Sequence, residues 1–113
     1  MITIYHNPQC SKSRDGLKFM EESGLNFQTN LYLKNGISFD ELKSIIEKLG
    51  IQSIELVRKN ESIWKENFKD QVLTDAQIIQ AMVDNPKLIE RPIVVNAEKA
   101  VIGRPTELIK EIL

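Results

Sequence analysis

The sequence predicts an α/β fold, a four-stranded mixed sheet with helices on its faces and a helical insertion between its two halves. Three observations predict it. β-type runs stand near both ends of the chain, Ile2-Thr3-Ile4-Tyr5 at the start and Ile93-Val94-Val95 and Ala100-Val101-Ile102 toward the close. A helix-period segment follows the first of these runs, and the stretch between Ser38 and Asn85 carries helix signals. Strand-helix-strand and strand-strand-helix halves then combine into one sheet when the first crossover is right-handed.

Each element has its own reason. Ile2 to Tyr5 is rich in β-branched residues and stops at Asn7-Pro8, a turn signal. Beyond Cys10, Leu17, Phe19 and Met20 recur at helical spacing, and Gly24 stands where a left-handed residue ends a helix. Phe27 to Tyr32 reads as a second strand, and Asn35-Gly36 as a turn. Ser38-Phe39-Asp40-Glu41 is a capping box, followed by an apolar face of Leu42, Ile45, Ile46 and Leu49 that Gly50 ends. Ile54 to Phe68 reads as one or two shorter helices. Thr74-Asp75-Ala76-Gln77 is a second capping box, with Ile78, Ile79, Met82 and Val83 apolar and Asn85-Pro86 closing the helix. Asn96 to Lys99 joins the last two strands as a hairpin, and Pro105 opens a final helix with Leu108, Ile109, Ile112 and Leu113 as its buried stripe. This order is thioredoxin-like, with the insertion at about 38–85. Arg91-Pro92 falls just before the third strand, where a cis bond is admissible.

Composition narrows the function classes. At 113 residues the chain fits one domain spanning 1–113. Lys and Arg number 15 against 16 Asp and Glu, a net charge of −1, which argues against nucleic-acid binding because phosphate affinity needs a basic surplus. No apolar run is long enough to cross a bilayer, and the first residues lack the pattern of a signal peptide, so a cytoplasmic protein without membrane contact is expected. One cysteine, Cys10, and one histidine, His6, leave no internal disulfide and no metal cage. A monomer is expected.

The densest cluster of reactive groups is His6-Asn7-Pro8-Gln9-Cys10-Ser11-Lys12-Ser13-Arg14, at the junction of the first strand and first helix. A thiol there faces unpaired amides and the positive end of the helix dipole, while His6, Lys12 and Arg14 add positive charge. These effects favour thiolate, the nucleophilic form, and the amides of Ser11 to Arg14 can hold an oxyanion beside it. The alternative is a small buried hydrophobe, the usual state of a lone cysteine. Arg58, Arg91 and Arg104 stand in apolar or proline-fixed settings, unlike the surface lysines. Should they converge on Cys10, their planar forks form an anion pocket; otherwise they are solvated or in structural ion pairs.

Three motifs, His6-Asn7-Pro8-x-Cys10-x-x-Ser13-Arg14, Glu90-Arg91-Pro92-Ile93-Val94-Val95 and Val101-Ile102-Gly103-Arg104-Pro105, resemble the glutaredoxin-coupled arsenate reductase family. Thr74-Asp75, Ile78-Ile79 and Asn85-Pro86 also resemble it, so the likeness covers almost the whole chain. It implies a thioredoxin-like fold and a cis bond before Pro92. The implied mechanism has Cys10 attack arsenate, glutathione displace the arsenylated thiol and glutaredoxin complete the reduction to arsenite, with no bound cofactor and no metal. Arg58, Arg91 and Arg104 map onto the family's substrate arginines and His6 onto its thiolate-lowering histidine. Ser11, Lys12, Ser13 and Arg14 map onto the oxyanion loop.

Two other readings compete. One is a family member that acts on another glutathione-linked or thiol-disulfide substrate with the same thiolate. The other is a non-enzymatic stress regulator that contacts RNA polymerase; that branch carries a Cys-x-x-Cys switch, and here Ser13 occupies the second position.

Overall fold

The computed structural model describes residues 1–113 and contains two compact units, Met1–Asn35 with Arg91–Leu113, and Gly36–Glu90. The first unit holds β1 (Ile2–Tyr5), α1 (Ser11–Glu22), β2 (Phe27–Asn30) and the single turn α2 (Tyr32–Asn35). It is completed by β3 (Ile93–Asn96), β4 (Lys99–Ile102) and a 3-10 helix, Thr106–Ile112. Strand order is β2-β1-β3-β4, with β1 parallel to β2 and antiparallel to β3, and β3 antiparallel to β4.

Alternation along these strands places the core. Ile4 and Val94 face each other across the β1–β3 ladder, and both join a fully buried cluster with Met20 of α1 and Ile109 of the last helix. Their neighbours Tyr5 and Ile93, paired on the opposite face, are buried as well. β1 and β3 are thus apolar on both faces, which explains why Ile93-Val94-Val95 reads as an uninterrupted apolar run.

The second unit contains α3 (Phe39–Leu49), a 3-10 helix at Ser53–Leu56, α4 (Ser62–Asn67), α5 (Asp75–Asp84) and a 3-10 turn at Pro86–Leu88. The hydroxyl of Ser38 accepts from the Glu41 amide at 3.1 Å, and Gly50 ends α3 with φ 68°. Thr74 and Gln77 exchange two hydrogen bonds, of 2.9 and 3.2 Å, at the start of α5. α5 packs on α3 and on both 3-10 helices. No helix is long and apolar enough to cross a membrane.

Two elements differ from expectation. β2 ends at Asn30 rather than Tyr32, because the His6 amide bonds the Asn30 carbonyl and β1 then turns away, leaving no ladder partner. The final helix is 3-10 rather than α, and Pro105 precedes it behind a cis Arg104–Pro105 bond. With three residues per turn, Ile109 and Ile112 share one face and are buried; Leu108 is half-buried and Leu113 exposed.

Candidate active site

The turn between β1 and α1 is closed by its own backbone. The Cys10 amide donates to the Asn7 carbonyl at 3.0 Å, and the Gln9 amide donates to Asn7 Oδ1 at 2.9 Å. Asn in the first position and Pro in the second suit such a turn, since the Asn side chain caps the amide two residues on and Pro presets its own φ. Cys10 emerges as the residue capping α1, in extended conformation with φ −101° and ψ 123°. Its carbonyl accepts from the Arg14 amide, the first helical hydrogen bond. That bond removes the Arg14 amide from the set expected to hold an oxyanion, which reduces to Ser11, Lys12 and Ser13.

Beneath the turn lies a buried polar pair. His6 Nδ1 and Ser13 Oγ are 2.7 Å apart, and the Asn7 amide donates to the same hydroxyl at 2.9 Å. Ser13 is fully buried, backbone included, so the expected contact with substrate is not open to it; its amide faces the Cys10 thiol and its hydroxyl ties α1 to the end of β1. Burial holds His6 below its ordinary pKa, the Ser13 bond opposes that and Arg14 reinforces it. A His6 biased toward neutrality supplies little positive charge to the thiolate, and its ring nitrogen Nδ1 is hydrogen-bonded to Ser13. The Arg14 guanidinium, also expected to favour thiolate, is exposed and donates to the Pro8 carbonyl at 2.9 Å.

Burial pushes the Cys10 thiol up, yet its net shift is downward. The opposing groups are the Ser13 amide, the Arg91 side chain and the Lys12 amide. Cys10 is half-buried, open enough to meet a reactant. Arg91 is itself buried and directly precedes the cis peptide to Pro92. Arg104 is exposed, and its Nη1 lies 3.4 Å from the Arg91 carbonyl, so the two arginines are neighbours. The Pro92 carbonyl accepts from the Gly103 amide, which fixes the strand ends that carry both. Arg58 belongs to the Gly36–Glu90 unit, where it is half-buried, lies 3.4 Å from Glu61 Oε2 and donates its amide to Leu88.

Pro92 is also the wall behind α1. A Cβ on Gly16 would stand 2.6 Å from Pro92 Cγ, so the helix approaches this loop at a distance only glycine allows. A thiol biased toward thiolate, uncommitted helix amides and a buried guanidinium together suit nucleophilic attack on a tetrahedral oxyanion.

A model of the ArsC family matches residues 5–112. The chain belongs to the ArsC family. An Escherichia coli K12 relative described as the uncharacterized protein YfgD is 47% identical, covering 99% of this chain and 96% of its own. An arsenate reductase of Haemophilus influenzae is 43% identical, covering 99% and 98%. The solved arsenate reductase of Vibrio cholerae superposes with a TM-score of 0.94 at 44% identity, covering 99% of this chain and 97% of that one. The thioredoxin-like expectation agrees with these ArsC structures.

Within the ArsC frame the structure brings His6, Cys10, Ser13, Arg91 and Arg104 together on one unit and gives two more residues, Asn7 and Gly16, a place in its construction. Asn7 registered as a turn signal, although Asn-Pro ahead of a helix-capping cysteine is the pattern of a side-chain-closed turn. Gly16 passed unnoticed, although a glycine inside a helical segment signals close packing.

Proposed function

We propose that the chain reduces arsenate to arsenite in the cytosol, with Cys10 as nucleophile, glutathione as co-substrate, glutaredoxin as electron donor and no bound cofactor. The observation that carries this reading is the juxtaposition of a thiol biased toward thiolate with α1's first amides and the buried Arg91. Arsenate is anionic at neutral pH, so the same positive field that favours thiolate also offsets arsenate's desolvation. The Ser11 and Lys12 amides and Arg91 contact its oxygens, with Arg104 beside Arg91.

The Cys10 sulfur forms an S–As bond as one arsenic oxygen leaves as water. Glutathione then displaces arsenic from Cys10 and regenerates the thiolate. Glutaredoxin's thiol removes the glutathione as a mixed disulfide, and the S–As electron pair stays on arsenic, which becomes As(III). One arsenate and two thiols thus yield arsenite, one disulfide and one water.

The test is arsenite formation from arsenate with glutathione and glutaredoxin supplied. Turnover that requires both and disappears in Cys10→Ser supports the reading. Absent turnover on arsenate, with Cys10-dependent turnover on glutathione mixed disulfides, would replace it with a glutathione-linked thiol-disulfide activity.

A further inference from the structure

Asn7 is a buried polar residue with three hydrogen-bonding roles within one turn. Its amide donates to Ser13 Oγ, its carbonyl accepts from the Cys10 amide and its Oδ1 accepts from the Gln9 amide, all at 2.9 to 3.0 Å. Two of these use only the backbone of Asn7 and survive replacement of its side chain. The third does not, since only an acceptor oxygen at the Asn7 side chain can hold the Gln9 amide inside the turn. That amide lies one residue before Cys10.

We propose that Asn7 is a positioning residue for Cys10: its side chain closes the Pro8–Gln9 turn and thereby seats the sulfur over the first amides of α1. Without it the turn retains the Cys10-to-Asn7 bond but loses its inner restraint. Cys10 is the residue whose backbone caps α1, so loosening the turn moves the sulfur relative to the Ser13 and Lys12 amides that favour its thiolate. Asn7 therefore acts through geometry and touches no reactant. This inference concerns the thiol itself and stands whether the substrate is arsenate or a mixed disulfide.

The experiment reads Cys10 directly, as the rate of alkylation by iodoacetamide against pH in the parent, Asn7→Ala, Asn7→Ser and Ser38→Ala. Serine closes such turns more weakly than asparagine, and Ser38→Ala removes a helix cap in the Gly36–Glu90 unit as a control for lost stability. The expected result is a titration midpoint about half a unit or more higher in Asn7→Ala, read as roughly threefold slower alkylation below the midpoint. Asn7→Ser falls between the two, and Ser38→Ala keeps the parent midpoint. An unshifted midpoint in Asn7→Ala overturns the proposal, as does an equal shift in Ser38→Ala, which would trace the effect to stability alone. Where Asn7→Ala does not fold, Asn7→Ser decides in the same way: a raised midpoint supports the proposal and a parent-like one overturns it.

Discussion

Replacing Ser13 with alanine removes one oxygen from a fully buried site where that oxygen serves two partners. The Asn7 amide, 2.9 Å away, and His6 Nδ1, 2.7 Å away, would both lose their hydrogen bond. Asn7 and His6 are themselves only 4% exposed, so solvent does not replace it. A buried polar group left without a partner costs about 1–3 kcal/mol, so two cost about 2–6 kcal/mol. Against a typical total stability of about 5–15 kcal/mol this is a large fraction, and the variant is markedly weakened. Even the lower figure corresponds to a fall in Tm on the order of 8 °C or more for a domain near this size. Thermal unfolding followed by circular dichroism measures it. Ser13→Thr, which keeps the oxygen, separates the hydrogen bonds from packing, because its added methyl costs about 1–3 kcal/mol by overpacking alone. A Ser13→Ala protein that melts within about a degree of the parent would refute the claim that this hydroxyl joins β1 to α1.

Three further outcomes are expected. Cys10→Ser abolishes arsenite formation while leaving the unfolding midpoint close to the parent's, as activity assays and denaturant titration will show. Gly16→Ala gains up to about 1 kcal/mol of helix propensity but must displace Pro92 from 2.6 Å, at about 1–3 kcal/mol; chemical denaturation should therefore show no gain in stability, and a clear gain would contradict the packing described. His6 sits below its ordinary pKa when folded, so the unfolded chain takes up the proton first. Its contribution to stability is complete above pH 6.5 and is lost as pH falls from there toward the folded value. Denaturation free energy should therefore drop less between pH 7.5 and 5.5 in His6→Gln than in the parent.

Elements whose signals are local were legible in the sequence. Ser38 and Thr74 cap α3 and α5, and Gly24 and Gly50 adopt positive φ after α1 and in ending α3. The β-branched runs pair in the sheet as the alternation demands. What escaped depends on partners distant in sequence. β2 stops where β1 stops offering a ladder, and the last helix is 3-10 behind a cis bond that no local pattern marks. In the site, the helix start pointed to Cys10 and to the amides after it, and Arg91 drew notice by its place before Pro92. Which groups act on the sulfur is a tertiary matter. Ser13 Oγ turns inward, Arg14 turns to Pro8, and His6 is biased toward neutrality by burial, none of which spacing discloses.

In the proposed mechanism nucleophile and oxyanion share one pocket, and alkylation of Cys10 across pH, with and without arsenate, measures both at once. The prediction is a midpoint below that of an ordinary thiol, slower alkylation when arsenate is present, and loss of both effects in Arg91→Ala. An ordinary midpoint with no protection by arsenate would contradict it.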